Sequence, residues 1–234
     1  TYECIGNPVG GQLIGNAEWQ VIPLAELLAQ APGGAGAARS VMFTGLDDFY
    51  SSVSADRALD AQAFLALRMN GAPLPAAHGF PARVILPDLY GMKQPRWLKS
   101  IVLQTDAATT SFWEQRGWAG EVPVKTMSRL DPRGELPPGK PGELAGIAFA
   151  GRRGIRQVEV SLDAGRTWVG CKLLTPSRAG AWSLWRYEWR DPAPGRVALQ
   201  VRATDGTGQT QVAQRSDTYP DGATGYDRES LVVA

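Results

Sequence analysis

The sequence predicts an α+β chain in two parts: a mixed helix-and-strand domain over residues 1–121, then an immunoglobulin-like β-sandwich over 122–234. Three observations carry this expectation. A chain of 234 residues suits one large or two small domains with a self-sufficient core. Its texture changes at Glu121-Val122-Pro123, before which helical and strand-like stretches mix. Beyond that point short apolar runs alternate with turns, roughly seven strands in about 110 residues, which is the spacing of a sandwich.

Along the first part, Pro23-Leu24-Ala25-Glu26-Leu27-Leu28 predicts a short amphipathic helix, with Pro in the first turn where a missing N–H costs nothing. Ala31-Pro32-Gly33-Gly34-Ala35-Gly36 breaks it, and Ser40-Val41-Met42-Phe43-Thr44 resumes as a strand. Between Asp56 and Met69 the apolar residues Ala58, Leu59, Phe64, Leu65 and Leu67 predict one helix plus a strand. The runs Arg83-Val84-Ile85-Leu86 and Ser100-Ile101-Val102-Leu103 read as buried strands. In the second part, alternation is clear at Val158, Val160, Leu162 and at Val197, Leu199, Val201. Asp163-Ala164-Gly165 and Asp205-Gly206-Thr207-Gly208 supply turns, because Asp and Gly tolerate positive φ.

Composition excludes several function classes. The 24 Lys+Arg against 23 Asp+Glu leave no global field for a polyanion, so nucleic acid is not an expected partner. No apolar run approaches the about 18 residues that cross a bilayer. One His and two Cys make a zinc site or a Ser-His-Asp triad a poor fit. No GxxxxGKS loop or dinucleotide fingerprint occurs.

The residues that remain are few. Cys4, in Glu3-Cys4-Ile5-Gly6-Asn7-Pro8, reads either as an exposed thiolate at a strand end or as a small buried hydrophobe. Cys171, flanked by Val169 and Leu173, reads as core, and two isolated cysteines rarely make a disulfide framework. His78 lies in a turn-rich loop before a strand. Arg83, Lys93, Arg96 and Lys99 follow it, a set of cations suited either to one phosphate or to a solvated basic edge. Asp47 and Asp48 follow Gly45 and read as a turn cap rather than a glycosidase pair.

In order, Cys4-Ile5-Gly6-Asn7, Asn16-Ala17-Glu18-Trp19, Phe43-Thr44-Gly45-Leu46-Asp47, Met69-Asn70-Gly71-Ala72-Pro73 and His78-Gly79-Phe80-Pro81-Ala82-Arg83 closely resemble the sulfite oxidase family of molybdopterin-dependent oxidoreductases. The stretch Val158-Glu159-Val160-Ser161-Leu162-Asp163-Ala164-Gly165-Arg166-Thr167-Trp168 resembles that family's dimerisation domain. The resemblance implies a molybdopterin-binding domain over 1–121, a dimerisation domain over 122–234, and molybdenum-molybdopterin as cofactor. Cys4 matches the thiolate that binds the metal, which is soft-ligand chemistry. Asp47 matches a carboxylate that accepts hydrogen bonds from the pterin. His78 and Arg83 match residues that hold the cofactor and its phosphate, and Gln94, Pro95 and Arg96 fall at a further cofactor contact, with Arg96 replacing a common Lys.

The departures concern the substrate. Pro8-Val9 stand where sulfite oxidases carry arginines, Gly10-Gly11-Gln12-Leu13-Ile14-Gly15 replaces a loop with Lys and Trp, and Trp118 stands where they place an active-site Tyr. An anion such as sulfite needs cations to offset its desolvation. The expectation is therefore oxygen-atom transfer on a small molecule other than sulfite, with Cys4 and Trp118 at the reacting end. The chain carries no haem-attachment motif, so electrons pass to an external haem protein or quinone-linked partner. The family also has a segment before this Cys; its absence here predicts a fragment whose export signal or membrane anchor would lie upstream, on the extracytoplasmic side of a bacterial membrane. The rival expectation is a cofactor-free scaffold that has kept the fold.

Overall fold

The computed structural model describes residues 1–131, 137, 139–175 and 177–234. In chain order the elements are β1 (Tyr2–Glu3), β2 (Ile14–Gly15), β3 (Trp19–Pro23), α1 (Leu24–Leu28), β4 (Ser40–Gly45), β5 (Tyr50–Ser54), α2 (Ala55–Ala58), β6 (Phe64–Met69), β7 (Ala72–Pro73), β8 (Arg83–Ile85) and β9 (Leu98–Gln104). They continue with β10 (Met127–Leu130), β11 (Gly142–Phe149), β12 (Ile155–Ser161), β13 (Val169–Gly170), β14 (Lys172–Leu173), β15 (Ser183–Trp189), β16 (Gly195–Asp205) and β17 (Asp227–Val233). The molecule is mostly sheet with few helices. Two units emerge, the first made of Tyr2–Ile5 and Gly15–Pro123, the second of Thr1, Gly6–Ile14 and Val124–Ala234.

In the first unit one sheet runs β3-β6-β7, with β8 also on β6, and another runs β5-β4-β9. Helix α1 starts after Pro23, whose φ of −57° is already helical, and its Leu24 and Leu28 bury one face, four residues apart. Its end is followed by Gly33 and Gly34 at positive φ, a conformation that a chain of L-residues avoids. Helix α2 is a single turn, after which β6 takes over, so the region between Asp56 and Met69 is indeed a helix then a strand. Leu24, Leu28, Val41, Phe43, Val53, Val84 and Leu86 form the core.

In the second unit, two four-stranded sheets, β10-β11-β15-β14 and β13-β12-β16-β17, share one core. Alternation decides which residues enter it: Val158 and Val160 are buried while Gln157 is exposed, and Leu199, Val201 and Ala203 repeat the pattern on β16. Of the three tryptophans of the 182–189 run, Trp185 is fully buried with its indole N–H donating to the Ile147 carbonyl at 3.2 Å, Trp189 is buried and Trp182 half-buried. Gly146 lets this happen, since a Cβ there would lie 1.9 Å from the Arg129 carbonyl oxygen and 2.9 Å from the Trp185 ring. The two turns use their aspartates as acceptors. Asp163 takes the Thr167 N–H at 2.8 Å and its hydroxyl at 2.6 Å, and Asp205 takes the Thr207 N–H at 3.0 Å and the Arg153 guanidinium at 2.8 Å.

Candidate cofactor site

All the residues singled out for cofactor chemistry lie in the first unit. Their meeting place is a knot of loops built on the start of β8. The β4–β5 turn enters through the Leu46 N–H, which donates to the Trp97 carbonyl at 2.8 Å, and the Trp97 N–H in turn donates to the Gly79 carbonyl at 3.2 Å. The Val84 N–H bonds the Pro95 carbonyl at 3.0 Å and the Leu98 N–H bonds the Ala82 carbonyl at 2.9 Å, so residues 94–98 run beside β8. Three positions make this packing tight. A Cβ on Gly45 would lie 2.5 Å from Asp47 Oδ1 and 2.9 Å from the Arg96 carbonyl. One on Gly79, at φ +112°, would lie 3.0 Å from Arg96 Cβ and 3.1 Å from Arg83 Cβ. Trp97 adopts φ 51°, an uncommon conformation for a bulky residue, held by its indole N–H on the Ala76 carbonyl at 2.6 Å.

This knot brings Asp47, His78, Arg83, Pro95 and Arg96 together. Asp47 is exposed, with one carboxylate oxygen accepting the Phe49 N–H at 3.2 Å. His78 ends a 3₁₀ turn with its side chain exposed, and its carbonyl accepts from Arg83 Nη1 at 3.1 Å. Arg83 is only 7% exposed, and its Nε–H finds no acceptor among the described residues. Arg96 is exposed, donates to the Ala77 carbonyl at 2.8 Å and lies over the Trp97 ring at 4.3 Å. Cys4 joins through β1, which it directly follows. Two residues before it, the Tyr2 ring lies 3.9 Å from the Arg83 guanidinium carbon, and a Cβ on Gly91 would lie 3.4 Å from the Glu3 carbonyl. Cys4 is a free, exposed thiol; Cys171 is also free, half-buried against the second unit's core.

Two cations grouped with this set by sequence do different work. Lys93 is 1% exposed and turned inward, its ammonium donating to the Ser52 carbonyl at 2.8 Å, Ser111 Oγ at 2.9 Å and Glu114 at 2.7 Å. Burial opposes ionisation of Glu114, but the Lys93 ammonium and the Ser111 N–H together hold its carboxyl below the usual range. Lys99 faces Asp48 at 3.6 Å on the surface. A basic residue in a loop reads as a surface charge until the tertiary fold supplies a buried acceptor set. Gln94 is likewise buried, its side chain closing the 86–94 turn by accepting the Leu86 N–H at 2.9 Å and donating to the Leu89 carbonyl at 2.6 Å. Trp118 is half-buried in a neighbouring loop, where its N–H donates to the Trp113 carbonyl at 3.2 Å. Sequence reasoning missed Tyr2 and Trp19, because a lone aromatic carries no signal of the cation it will meet.

The donor set fits a phosphate-bearing cofactor that brings most of its own metal ligands. Among the described residues, no three of His, Cys, Asp and Glu gather as a metal-binding group, and Cys4 offers one exposed soft thiol. The buried, incompletely bonded guanidinium of Arg83 and the exposed one of Arg96 are suited to phosphate oxygens.

Comparison with known proteins agrees in both halves of the chain. Residues 1–113 match the oxidoreductase molybdopterin binding domain and residues 127–218 match the Mo-co oxidoreductase dimerisation domain. Sulfite oxidase of Gallus gallus is 31% identical over 259 residues, covering 90% of this chain and 56% of that one. Mitochondrial sulfite oxidase of Homo sapiens is 32% identical over 221 residues, covering 80% of this chain and 40% of that one. The NAD(P)H nitrate reductase of Hordeum vulgare is 29% identical over 252 residues, 86% of this chain and 28% of that one. This chain therefore spans little more than half the length of these relatives, or less. The fold of the sulfane dehydrogenase SoxCD from Paracoccus pantotrophus superposes with a TM-score of 0.83 at 23% identity, covering 100% of this chain and 70% of that one. Shared over both halves by sequence and by fold, this ancestry makes the chain a member of the sulfite oxidase family of molybdopterin-dependent oxidoreductases.

Proposed function

We propose that this chain is the cofactor-binding and dimerisation part of a molybdenum oxidoreductase acting on a small substrate that is not sulfite. The observation that carries the reading is the buried Arg83 guanidinium, beside the His78–Gly79 turn and Arg96, whose Nε–H has no acceptor among the described residues. When bound, molybdenum-molybdopterin supplies two-electron oxygen-atom transfer. The chain's own residues hold it. Cys4 gives the soft thiolate ligand, Asp47 accepts from the pterin's N–H groups, His78 orients the cofactor, and Arg83 and Arg96 take its phosphate. Pro95 and Gln94 shape the segment that carries Arg96, and Trp118 lines the substrate side with an indole that neither takes up nor releases a proton.

For the substrate, the resemblance sets Pro8-Val9 and Trp118 where sulfite oxidases carry arginines and a tyrosine. Without those cations a sulfite dianion would be desolvated without compensation. A neutral S-oxide or another small oxo donor or acceptor suits that residue set better, with an external haem protein or quinone-linked partner taking or supplying the electrons. The finer architecture in this reading is an α+β cofactor domain over 1–121 and an immunoglobulin-like sandwich over 122–234 through which two copies pair, on the extracytoplasmic side of a bacterial membrane.

The test is elemental analysis of the protein made in a host that synthesises molybdopterin, beside Cys4→Ser. About one molybdenum per chain, lost in the variant, is the expected result, together with no turnover of sulfite. Folded protein without metal would leave the scaffold alternative in its place.

A further inference from the structure

Tyr2 and Trp19 have no part in the reading above, yet both rings face the best-buried cation of the site. The Arg83 guanidinium carbon lies 3.9 Å from the Tyr2 ring centroid and 5.2 Å from that of Trp19, and the two rings sit 6.0 Å apart, tilted by 51°. Arg83 is buried, spends Nη1 on the His78 carbonyl, and makes no ion pair among the described residues. A carboxylate partner would neutralise such a guanidinium. Aromatic faces instead compensate part of its lost hydration while leaving the full charge available to an incoming anion.

Tyr2 is itself fixed at both ends. Its hydroxyl donates to the Val84 carbonyl, on the strand that Arg83 begins, and its backbone belongs to β1, two residues before Cys4. Cys4 directly follows β1, whose Glu3 is buried. One side chain thus ties the segment presenting the thiol to the segment presenting the cation.

We propose that Tyr2, with Trp19 beside it, is a positioning residue. It keeps the Arg83 guanidinium unneutralised and at a set distance from β1, which leads into Cys4, so that the metal end and the phosphate end of one cofactor are gripped together. This rests on the reading of Cys4 and Arg83 as cofactor ligands.

The experiment follows molybdenum and pterin retained per chain with time after gel filtration of the loaded 234-residue protein, for wild type, Tyr2→Phe, Tyr2→Leu, Arg83→Gln and the Tyr2→Leu/Arg83→Gln double variant. Tyr2→Phe keeps the ring over Arg83 but drops the tie to the Val84 carbonyl, and should lose cofactor faster than wild type but more slowly than Tyr2→Leu. Tyr2→Leu should lose it about tenfold faster, the size of one desolvated cation–π contact. The double variant should lose it no faster than Arg83→Gln alone, because the platform acts only through the cation. Loss at the wild-type rate in Tyr2→Leu, or effects of the two substitutions that multiply in full, would overturn the proposal. If Tyr2→Leu does not fold by circular dichroism, Trp19→Leu takes its place in the same cycle and is held to the same outcomes. Wild-type protein that folds without molybdenum refutes the underlying reading and this one with it, whereas metal-loaded wild type with an unaffected Tyr2→Leu refutes this one alone.

Discussion

Lys93 and Arg83, ten residues apart and both buried cations, are stabilised in opposite ways. Lys93 is fully answered by the Ser52 carbonyl, Ser111 and Glu114, so its charge is spent inside the protein. Glu114→Gln removes the counter-charge and leaves the ammonium buried; it should cost about 3–5 kcal/mol, read from the urea midpoint at constant slope. The two cysteines differ just as sharply. Burial first, and then the nearby Glu159 charge, push the Cys171 thiol up to about 12, so at neutral pH it is an inert core group. In cofactor-free protein a disulfide reagent at pH 7 should therefore find one fast thiol, and Cys4→Ser should abolish it. Two fast thiols would mean that the second unit's core is open at Cys171.

The strands of the second unit show how one residue constrains an element. In β11, Gly146 allows the Arg129 carbonyl to approach where a Cβ would sit at 1.9 Å, with Trp185 on the other side. Gly146→Ala forces β10 and β11 apart and should destabilise by about 3 kcal/mol, the upper end for overpacking; a change below about 1 kcal/mol would show that the sheet yields. Around β8 the element scale decides the site. A three-residue strand holds Arg83 because it pairs with β6 on one side, residues 94–98 bond alongside it on the other, and Gly79 leaves out a Cβ that would crowd both Arg83 and Arg96. Here the sequence was legible in part. Alternation of Val158 with Val160 and of Leu199 with Val201 marked β12 and β16, since one buried face imposes period two. The interior partners of Gln94 and Lys93 were not legible, because they are backbone and side-chain atoms that only folding brings within reach.

For the molecule as a whole, acid should act through a few carboxylates. Glu114 and Asp205 both titrate below their ordinary values; burial opposes this in each, and hydrogen bonds from Lys93 and Ser111, or from Thr207, Arg153 and Gln209, outweigh it. A carboxylate depressed in the folded state binds fewer protons there than when unfolded. Its contribution is therefore complete above the unfolded carboxylate range of about 3.9–4.3 and is lost as pH falls through the lower folded value. Asp227, raised chiefly by burial, has the opposite sign: its contribution is present at low pH and fades as pH rises through its folded value. Thermal unfolding of wild type from pH 6 to pH 3 should show falling stability, with a shallower acid limb in Glu114→Gln. An equally steep limb in that variant would assign the loss to other groups.

Local chemistry, written in the order of residues, settled a great deal. Turn residues, periodicity and the ordered motifs from Cys4 to Arg83 were enough to indicate the strands, the change of texture at Glu121-Val122-Pro123 and the family, because each depends on neighbours a few positions away or on a preserved order. Which cations remain available to a ligand was decided in three dimensions alone. Arg83, Lys93 and Arg96 look alike along the chain, yet one is laid on an aromatic face, one is neutralised in the interior and one is left at the surface. Charge is a property of the residue, but its compensation is a property of the atoms that folding brings against it.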